Sequence, residues 1–306
     1  MQHRTLGKTH LDVAPLGFGC APGSFLRTGA EPLAILVNQL LDGGVNLIDT
    51  ATMYPGSEDF IGTHLSGRRS DFVLVSKAGG NKAESATGEA WSDELITTSI
   101  DRALRLMKTD HVDVMLLHSC DLATLEADDA LASLVKARDA GKIRFAGYSG
   151  DNAAAEFAAK LPDIAVIETS ISYADQANID LLLPAAKKNN VGIIAKRPVA
   201  NAAWTGMAGR KGLYTQYAKE YVKRHDAIGL TPAELGMTDA DWPEIALRFT
   251  LSFPEIATAI VGTTNPANAL KNLEIVKKGP LSPQQIATIR AKFAAAPGSD
   301  SWTGQT

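Results

Sequence analysis

The sequence lacks the features of membrane, disulfide-rich and general nucleic-acid-binding proteins. No apolar run approaches the roughly 18 residues of a membrane span. Only 2 cysteines occur in 306 residues, so we expect neither a disulfide framework nor a metal site. With 30 Lys and Arg against 34 Asp and Glu, the net charge of −4 argues against a basic nucleic-acid-binding face. Because the N-terminus has no apolar signal-peptide run, the expected compartment is the cytoplasm.

What the sequence does contain is a regular alternation. Short apolar runs rich in β-branched residues are followed by longer segments with helical periodicity. Eight such units in about 280 residues suit a closed parallel barrel, so we predict one α/β domain, residues 1–306, with a (β/α)8 TIM-barrel fold. A doubly wound open sheet is the alternative. Against it, GFGCAPG after the first strand does not have the glycine spacing of a dinucleotide-binding turn.

The alternation gives explicit boundaries. Strands are predicted at 14–19, 45–49, 71–77, 111–118, 143–149, 163–169, 191–196 and 256–262. Helices are predicted at 31–44, 57–65, 92–108, 125–142, 152–161, 178–190, 243–252 and 265–278, with an extra C-terminal helix at 282–295. An N-terminal β-hairpin in RTLGKTHLDV is expected to plug the barrel bottom, and Pro184 is expected to kink its helix. Residues 198–240 are predicted to be irregular and residues 295–306 to form a loose tail.

Four polar residues at the predicted strand ends form one chemical unit. Asp49, Lys77 and His118 end three successive strands, and Tyr54 follows in the loop after Asp49. A tyrosine phenol is a poor acid at neutral pH, and a neighbouring ammonium such as Lys77 lowers its pKa. A buried lysine needs a carboxylate partner, which Asp49 can supply. His118 can hydrogen-bond a substrate carbonyl, so the four could polarise and protonate it. The reductant would have to come from a cofactor.

Each of these residues also has an ordinary structural interpretation. Strand-end Asp and Lys residues commonly form surface ion pairs, a loop tyrosine commonly packs, and a strand-end histidine commonly belongs to the core. A barrel isomerase or aldolase that forms a Schiff base on Lys77 is a further alternative. The occurrence of all four at neighbouring strand ends favours a catalytic role.

The residues around this unit resemble the aldo-keto reductases. NLIDTATMYPGSEDFIG is similar to the family signature, and VLVSKAG and VDVMLLHSCD carry the family's Lys and His. Similar stretches at 3–9, 147–149 and 259–273 extend the resemblance over nearly the whole chain. The resemblance implies a (β/α)8 barrel, extended NADP(H) and reversible reduction of aldehydes or ketones. It further implies that Tyr54 is the acid, that Lys77 and Asp49 tune its pKa, and that His118 orients the carbonyl.

The resemblance also implies a nucleotide site. The candidate cofactor-binding residues are Gly19, Cys20, Ser149, Gly150, Glu168, Lys196, Arg197, Gly262, Thr263, Thr264, Asn268 and Asn272. At the nicotinamide end, Gly150 stands where the family often has Asn, and Asp151 or Asn152 could replace it. Glu168 stands where the family has Gln. Lys196 occupies the position of a stacking aromatic ring, and with Arg197 it could pair with the pyrophosphate or point to solvent.

The adenosine end bears on cofactor choice. Many family members carry a Lys and an Arg that bind the 2′-phosphate of the nucleotide. At the corresponding positions this chain has Gly262 and Asn268. Thr263, Thr264 and the amides that open the following helix could still hold a phosphate. NADP(H) is therefore favoured, and NAD(H) remains an alternative.

These observations predict an NAD(P)H-dependent carbonyl reductase or alcohol dehydrogenase with a small-molecule carbonyl or alcohol substrate. The alternatives are a nucleotide-sensing regulatory subunit with little turnover, or a sugar dehydrogenase that runs in the oxidative direction. No nucleic-acid or membrane partner is expected, and the sequence leaves monomer and homo-oligomer open. Cys20 and Cys120 are expected to be free thiols. The loops at 20–30, 80–91, 119–124 and 198–240 are expected to select the substrate.

Overall fold

The computed structural model describes residues 1–25, 29–80, 86–208 and 214–305, and in these ranges eight parallel strands close into a barrel. The (β/α)8 prediction is therefore confirmed. The barrel strands are β3 Leu16–Gly19, β4 Leu47–Asp49, β5 Val73–Ala78, β6 Val112–His118, β7 Ile143–Ser149, β8 Ile164–Ser170, β9 Gly192–Lys196 and β10 Ile256–Val261. They follow one another around the barrel in chain order, and β10 closes it against β3.

The predicted N-terminal hairpin also forms. β1 (Arg4–Thr5) pairs antiparallel with β2 (Asp12–Val13), and between them the Lys8 amide donates to the Asn190 carbonyl at 2.7 Å, just before β9. Leu6 and Val13 are fully buried and join the apolar residues that fill the barrel interior. The hairpin therefore closes the end of the barrel where the strands begin.

Helices pack around the strands and bury their apolar faces against them. They are α1 Ala21–Phe25, α2 Ala30–Asp42, α3 Ser57–His64, α4 Asp93–Met107, α5 Leu122–Glu126, α6 Asp129–Asp139, α7 Asn152–Ala158, α8 Ala177–Leu181, α9 Leu183–Lys188, α10 Tyr214–Ile228, α11 Trp242–Leu251, α12 Pro266–Lys277 and α13 Pro283–Ala295. Short 3-10 segments lie at Gly7–Thr9, Ser66–Asp71, Ala200–Thr205, Pro232–Leu235, Asp239–Asp241 and Ser299–Ser301. Ser92 and Ser282 cap α4 and α13, each accepting a hydrogen bond from a backbone amide of the first turn.

Three predicted segments differ from the structure. The single helix expected at 125–142 is two helices, α5 and α6, because Asp128 between them has a left-handed backbone with φ 65°. The helix expected at 178–190 divides at Leu182, as the position of Pro184 suggested. The stretch expected to be irregular at 198–240 contains the 15-residue helix α10, which buries Ala218 and Tyr221.

The sequence predicts a loose tail at 295–306, but the part of this tail that the structure describes packs against the rest of the protein. Trp302 contacts Phe293 edge to face, with ring centroids 5.3 Å apart. The Gly304 amide donates to Asn152 Oδ1 at 2.7 Å, and the Gln305 amide donates to Asp175 Oδ2 at 3.2 Å. Because these partners lie far away in the sequence, local composition gave no sign of them.

Candidate active site

The four candidate catalytic residues come together at the carboxyl ends of neighbouring strands. Asp49 ends β4, Lys77 lies one residue before the end of β5, and His118 ends β6. Parallel pairing of β4 with β5 and of β5 with β6 brings these residues to one edge of the barrel. Tyr54 is held in the turn before α3, where its amide donates to the Ala51 carbonyl at 2.9 Å.

Lys77 is the centre of a buried charge network. It is only 1% exposed and donates to the Asp49 carboxylate and, at 3.0 Å, to the Thr50 carbonyl. Its Nζ also lies 3.1 Å from Glu168 Oε2. Burial acts to lower the pKa of Lys77, but the carboxylates of Asp49 and Glu168 outweigh it and raise the pKa. Lys77 therefore remains an ammonium ion.

Tyr54 lies beside this network. The Lys77 Nζ atom is 5.7 Å from the centre of the Tyr54 ring. Burial raises the pKa of Tyr54 to about 12, and the carboxylates of Asp49 and Glu168 add to the increase. Lys77 acts in the opposite direction, as the sequence predicts, but it does not outweigh burial. The phenol consequently holds its proton at neutral pH and can donate it.

His118 faces Tyr54 across the barrel mouth. The two ring centroids are 6.2 Å apart and the rings are nearly perpendicular, at 84°. Burial lowers the pKa of His118 to about 3, and the cations of Lys77, Lys196 and Arg197 lower it further. The imidazole is therefore neutral at neutral pH, and a neutral ring can still donate one hydrogen bond to a carbonyl oxygen.

Glu168 and Ser149 form a buried polar pair near the ends of β8 and β7. Ser149 is the last residue of β7 and Glu168 lies two residues before the end of β8. Glu168 and Ser149 are 2% and 1% exposed, and Ser149 Oγ donates to Glu168 Oε1 at 3.4 Å. Among the described residues no donor is aligned for a hydrogen bond to Glu168 Oε2, although Lys77 lies close to it. A buried acceptor of this kind fits an amide NH2 group, such as that of a nicotinamide carboxamide.

The structure explains why glycine occupies position 150. A Cβ atom there would overlap the Tyr148 hydroxyl and lie 2.6 Å from Tyr148 Cε1. The Tyr148 hydroxyl is fixed because it donates to the Cys120 carbonyl at 2.8 Å. Neither Asp151 nor Asn152 has a side chain free to replace an asparagine here. The Asp151 carboxylate accepts hydrogen bonds from Thr169 and Ser170. The Asn152 side chain is hydrogen-bonded to the backbone of Gly304.

Lys196 and Arg197 are engaged with groups of the chain itself. Lys196 Nζ lies 3.2 Å from Asp151 Oδ2. Arg197 donates to Ser170 Oγ at 3.1 Å and to the Gln305 carbonyl, and its guanidinium carbon lies 3.9 Å from the centre of the Tyr217 ring. Both cations are therefore inside the protein rather than in open solvent, and a cofactor phosphate would have to compete with these partners.

Gly19 and Gly262 allow the ends of β3 and β10 to approach each other closely. A Cβ atom at position 262 would lie 2.6 Å from the Gly19 carbonyl oxygen and would overlap Pro22. Cys20, the next residue after β3, is a buried free thiol whose pKa is raised to about 12 by burial. Cys20 is therefore protonated, and Cys120 is likewise free and buried. This part of the site is closely packed.

The sequence predicts that the amides opening α12 could hold a phosphate, but Pro266 has no amide N–H and the amides on either side of it donate to groups of the chain itself. Asn265 caps the helix by accepting from the Ala267 amide at 2.9 Å, and Thr263 Oγ1 accepts from the Asn265 amide at 3.1 Å. Thr264 lies between them at the start of the helix. Asn268 is exposed in the first turn, whereas Asn272, one turn further, is 7% exposed. The positive end of a 12-residue helix therefore opens at this corner.

Two features of the site could not be read from the sequence pattern. Glu168 contacts Lys77 as well as Ser149, and neither its place near a strand end nor its correspondence to a family Gln indicated the contact with Lys77. Trp204, in the segment after β9, stacks on Trp242, with ring centroids 5.9 Å apart and 7° between the ring planes. Residues 26–28, 81–85 and 209–213, which belong to three of the four expected substrate loops, lie outside the described residues.

Within the described ranges, no group of three or more His, Cys, Asp or Glu side chains is arranged to hold a metal ion. None of the helices described there has both the length and the apolar character required to cross a bilayer.

The chain matches known proteins over nearly its whole length. Residues 16–294 match the model of the Aldo/keto reductase family. The chain is 26% identical over 312 residues to the uncharacterized oxidoreductase YqkF of Bacillus subtilis (strain 168), covering 95% of this chain and 96% of that protein. It is 27% identical over 289 residues to L-galactose dehydrogenase of Arabidopsis thaliana, covering 89% and 87%.

A solved structure is also similar to this chain over nearly its whole length. The holo form of aldo-keto reductase AKR11C1 from Bacillus halodurans superimposes with a TM-score of 0.78 at 25% identity, covering 95% of this chain and 96% of that one. The barrel and these similarities place the protein among the oxidoreductases. It belongs to the aldo-keto reductase family.

Proposed function

We propose that the protein catalyses the reversible reduction of an aldehyde or ketone to an alcohol, with NADP(H) or NAD(H) as the cofactor. The observation that carries this proposal is the arrangement of a protonated Tyr54 beside the Lys77–Asp49 ion pair and a neutral His118. The arrangement offers a proton donor and a hydrogen-bond donor to one carbonyl oxygen.

In this proposal the side chains orient the substrate carbonyl and donate the proton that it receives. His118 donates a hydrogen bond that orients the carbonyl oxygen, and Tyr54 Oη gives its proton to that oxygen as the alcohol forms. Lys77, held by Asp49, stabilises the phenolate that remains. A bound nicotinamide would supply the hydride. In the opposite direction, the Tyr54 phenolate takes the alcohol proton.

The residues present fit a nicotinamide nucleotide. Glu168 and Ser149 would hold the carboxamide, because Glu168 Oε2 is a buried acceptor without an aligned donor in the described structure. Thr263 and Thr264, at the positive end of α12, would hold a phosphate at the adenosine end, and Asn272 would contact the adenine. Gly262 and Asn268 stand where the resemblance would place a Lys and an Arg, so we expect a modest preference for NADP(H) rather than exclusive use.

Tyr54→Phe tests the proposal, because it removes the hydroxyl and keeps the ring. We expect kcat for carbonyl reduction to fall by about 10²–10⁴, the usual range for general acid–base catalysis, with nucleotide binding retained. Tyr173→Phe is the matched control, since it removes a buried hydroxyl that contacts His225 instead. Unchanged turnover in Tyr54→Phe would refute the proposed mechanism.

A second candidate is oxidation of a sugar lactol. It is favoured by the 27% identity to L-galactose dehydrogenase, and the same residues would act with Tyr54 as the base. A panel of carbonyls, alcohols and aldoses, assayed in both directions with each nucleotide, separates the two candidates. Nucleotide binding without turnover on any member of the panel would instead indicate a regulatory subunit.

A further inference from the structure

Lys77 has two carboxylates beside it rather than one. Asp49 belongs to β4, the neighbour of β5, whereas Glu168 belongs to β8, which pairs with β7 and β9. Glu168 therefore reaches Lys77 across the barrel mouth, where its Oε2 lies 3.1 Å from Nζ. The side chains of Asp49 and Glu168 are each 3% exposed, so water does little to screen their charges.

The charged groups that face Tyr54 come from four elements. Lys77 on β5 and Arg197 after β9 favour the phenolate, whereas Asp49 on β4 and Glu168 on β8 oppose it. His118 on β6 is neutral. Burial raises the pKa of Asp49, and Glu168 beside it raises that pKa further. Asp49 and Glu168 therefore compete for one buried ammonium ion, and less of its charge is left to stabilise a phenolate.

We propose that Glu168 is a second counter-ion of Lys77, a positioning residue that shares the ammonium with Asp49 and so sets the pH range over which Tyr54 keeps its proton. This inference rests on the proposed role of Tyr54 as the acid. It differs from carboxamide binding alone, because a neutral glutamine could also bind a carboxamide but could not neutralise Lys77.

Replacing Glu168 with glutamine leaves Lys77 with one counter-ion, so the Tyr54 phenolate becomes easier to form. A charge within about 4–6 Å of a titratable group can shift the pKa of that group by about 1–3 pH units. We therefore expect the alkaline decline of carbonyl reduction to begin at least about 1 pH unit lower in Glu168→Gln than in the parent protein. Glu168→Asp retains the charge and should stay close to the parent.

Two measurements test this. The first is the pH profile of kcat for carbonyl reduction at saturating nucleotide, for the parent, Glu168→Gln and Glu168→Asp. The second needs no nucleotide: NMR titration of protein labelled with [13Cζ]tyrosine, in which Tyr54→Phe identifies the Tyr54 resonance. Ser149→Ala is the matched control, because it removes the hydrogen bond to Glu168 without changing any charge. Circular dichroism checks folding, and Glu168→Met replaces Glu168→Gln if the latter does not fold.

We expect the Tyr54 resonance to titrate at lower pH in Glu168→Gln and at the parent pH in Glu168→Asp and Ser149→Ala. If Glu168→Gln titrates like the parent while Tyr54→Phe is inactive, the counter-ion inference is overturned and the proposed function stands. An equal shift in Ser149→Ala also overturns it, because no charge has changed in that variant. If Tyr54→Phe remains active, the proposed function fails, and the NMR titration still decides the role of Glu168.

Discussion

Replacing Lys77 with methionine removes the ammonium between two buried carboxylates and keeps a long unbranched side chain. In the parent protein the side chains of Lys77, Asp49 and Glu168 are 1%, 3% and 3% exposed. Removing one partner of a buried ion pair costs about 3–5 kcal/mol, because the remaining charge is left without compensation. We expect the unfolding free energy of Lys77→Met at pH 8 to be lower than that of the parent protein by this amount. We also expect the variant to lose most of its turnover.

The loss should depend on pH. In the parent protein burial and Glu168 raise the pKa of Asp49, and Lys77 opposes that increase. In the variant this opposition is gone, so the folded pKa of Asp49 rises further above the unfolded value of about 3.9. Between the unfolded and folded values, the folded state binds more protons than the unfolded state. The unfolding free energy therefore falls as pH rises through this window, by up to about 1.4 kcal/mol per pH unit for each proton. The variant should be nearest to the parent at about pH 4 and least stable at pH 8.

Urea unfolding followed by circular dichroism, at about pH 4, 6 and 8, measures this dependence. The double variant Lys77→Met/Glu168→Gln is the control, because it also removes one of the two uncompensated carboxylates. It should recover part of the lost stability at pH 8. A loss that is the same at every pH, or a double variant no more stable than the single one, would show that the carboxylates are not coupled to Lys77.

Three further predictions concern other parts of the molecule. Asn268→Arg should lower Kd for NADPH while leaving Kd for NADH nearly unchanged. Titration of the variant with each nucleotide measures the two constants. Equal changes in both constants would show that residue 268 does not face the 2′ position. Gly62→Ala should destabilise the protein by about 1–3 kcal/mol or more in urea unfolding, because its Cβ would overlap the Leu106 carbonyl oxygen; parent-like stability would contradict this close helix packing. Burial, together with Asp151, raises the pKa of Asp175 to about 7. Because the folded state then binds more protons than the unfolded state, the unfolding free energy of the parent should decrease as pH rises from about 4 to about 7. Asp175→Asn should flatten that dependence, and an unchanged slope would refute the assignment.

The sequence determined the barrel and the positions of Asp49, Lys77 and His118, for a common physical reason. Strands buried on both faces read as continuous apolar runs, and the polar residue that ends each run marks the carboxyl edge of the sheet. Parallel strands place all such residues on one edge, so their proximity followed from the order of the strands alone. Tyr54 followed because only a short turn separates it from Asp49.

The tertiary structure decided the charge state of the site and the order in the C-terminal segment. Lys77 and Glu168 lie on strands that do not pair, so only closure of the barrel brings them together. The pKa of Tyr54 depends on burial and on charges from four elements, none of which a local pattern measures. The Gln305 carbonyl is likewise fixed by Arg197 and Ser170, which precede it by more than a hundred residues. Local periodicity reports which face of an element is apolar, whereas these contacts arise from the meeting of elements distant in the chain.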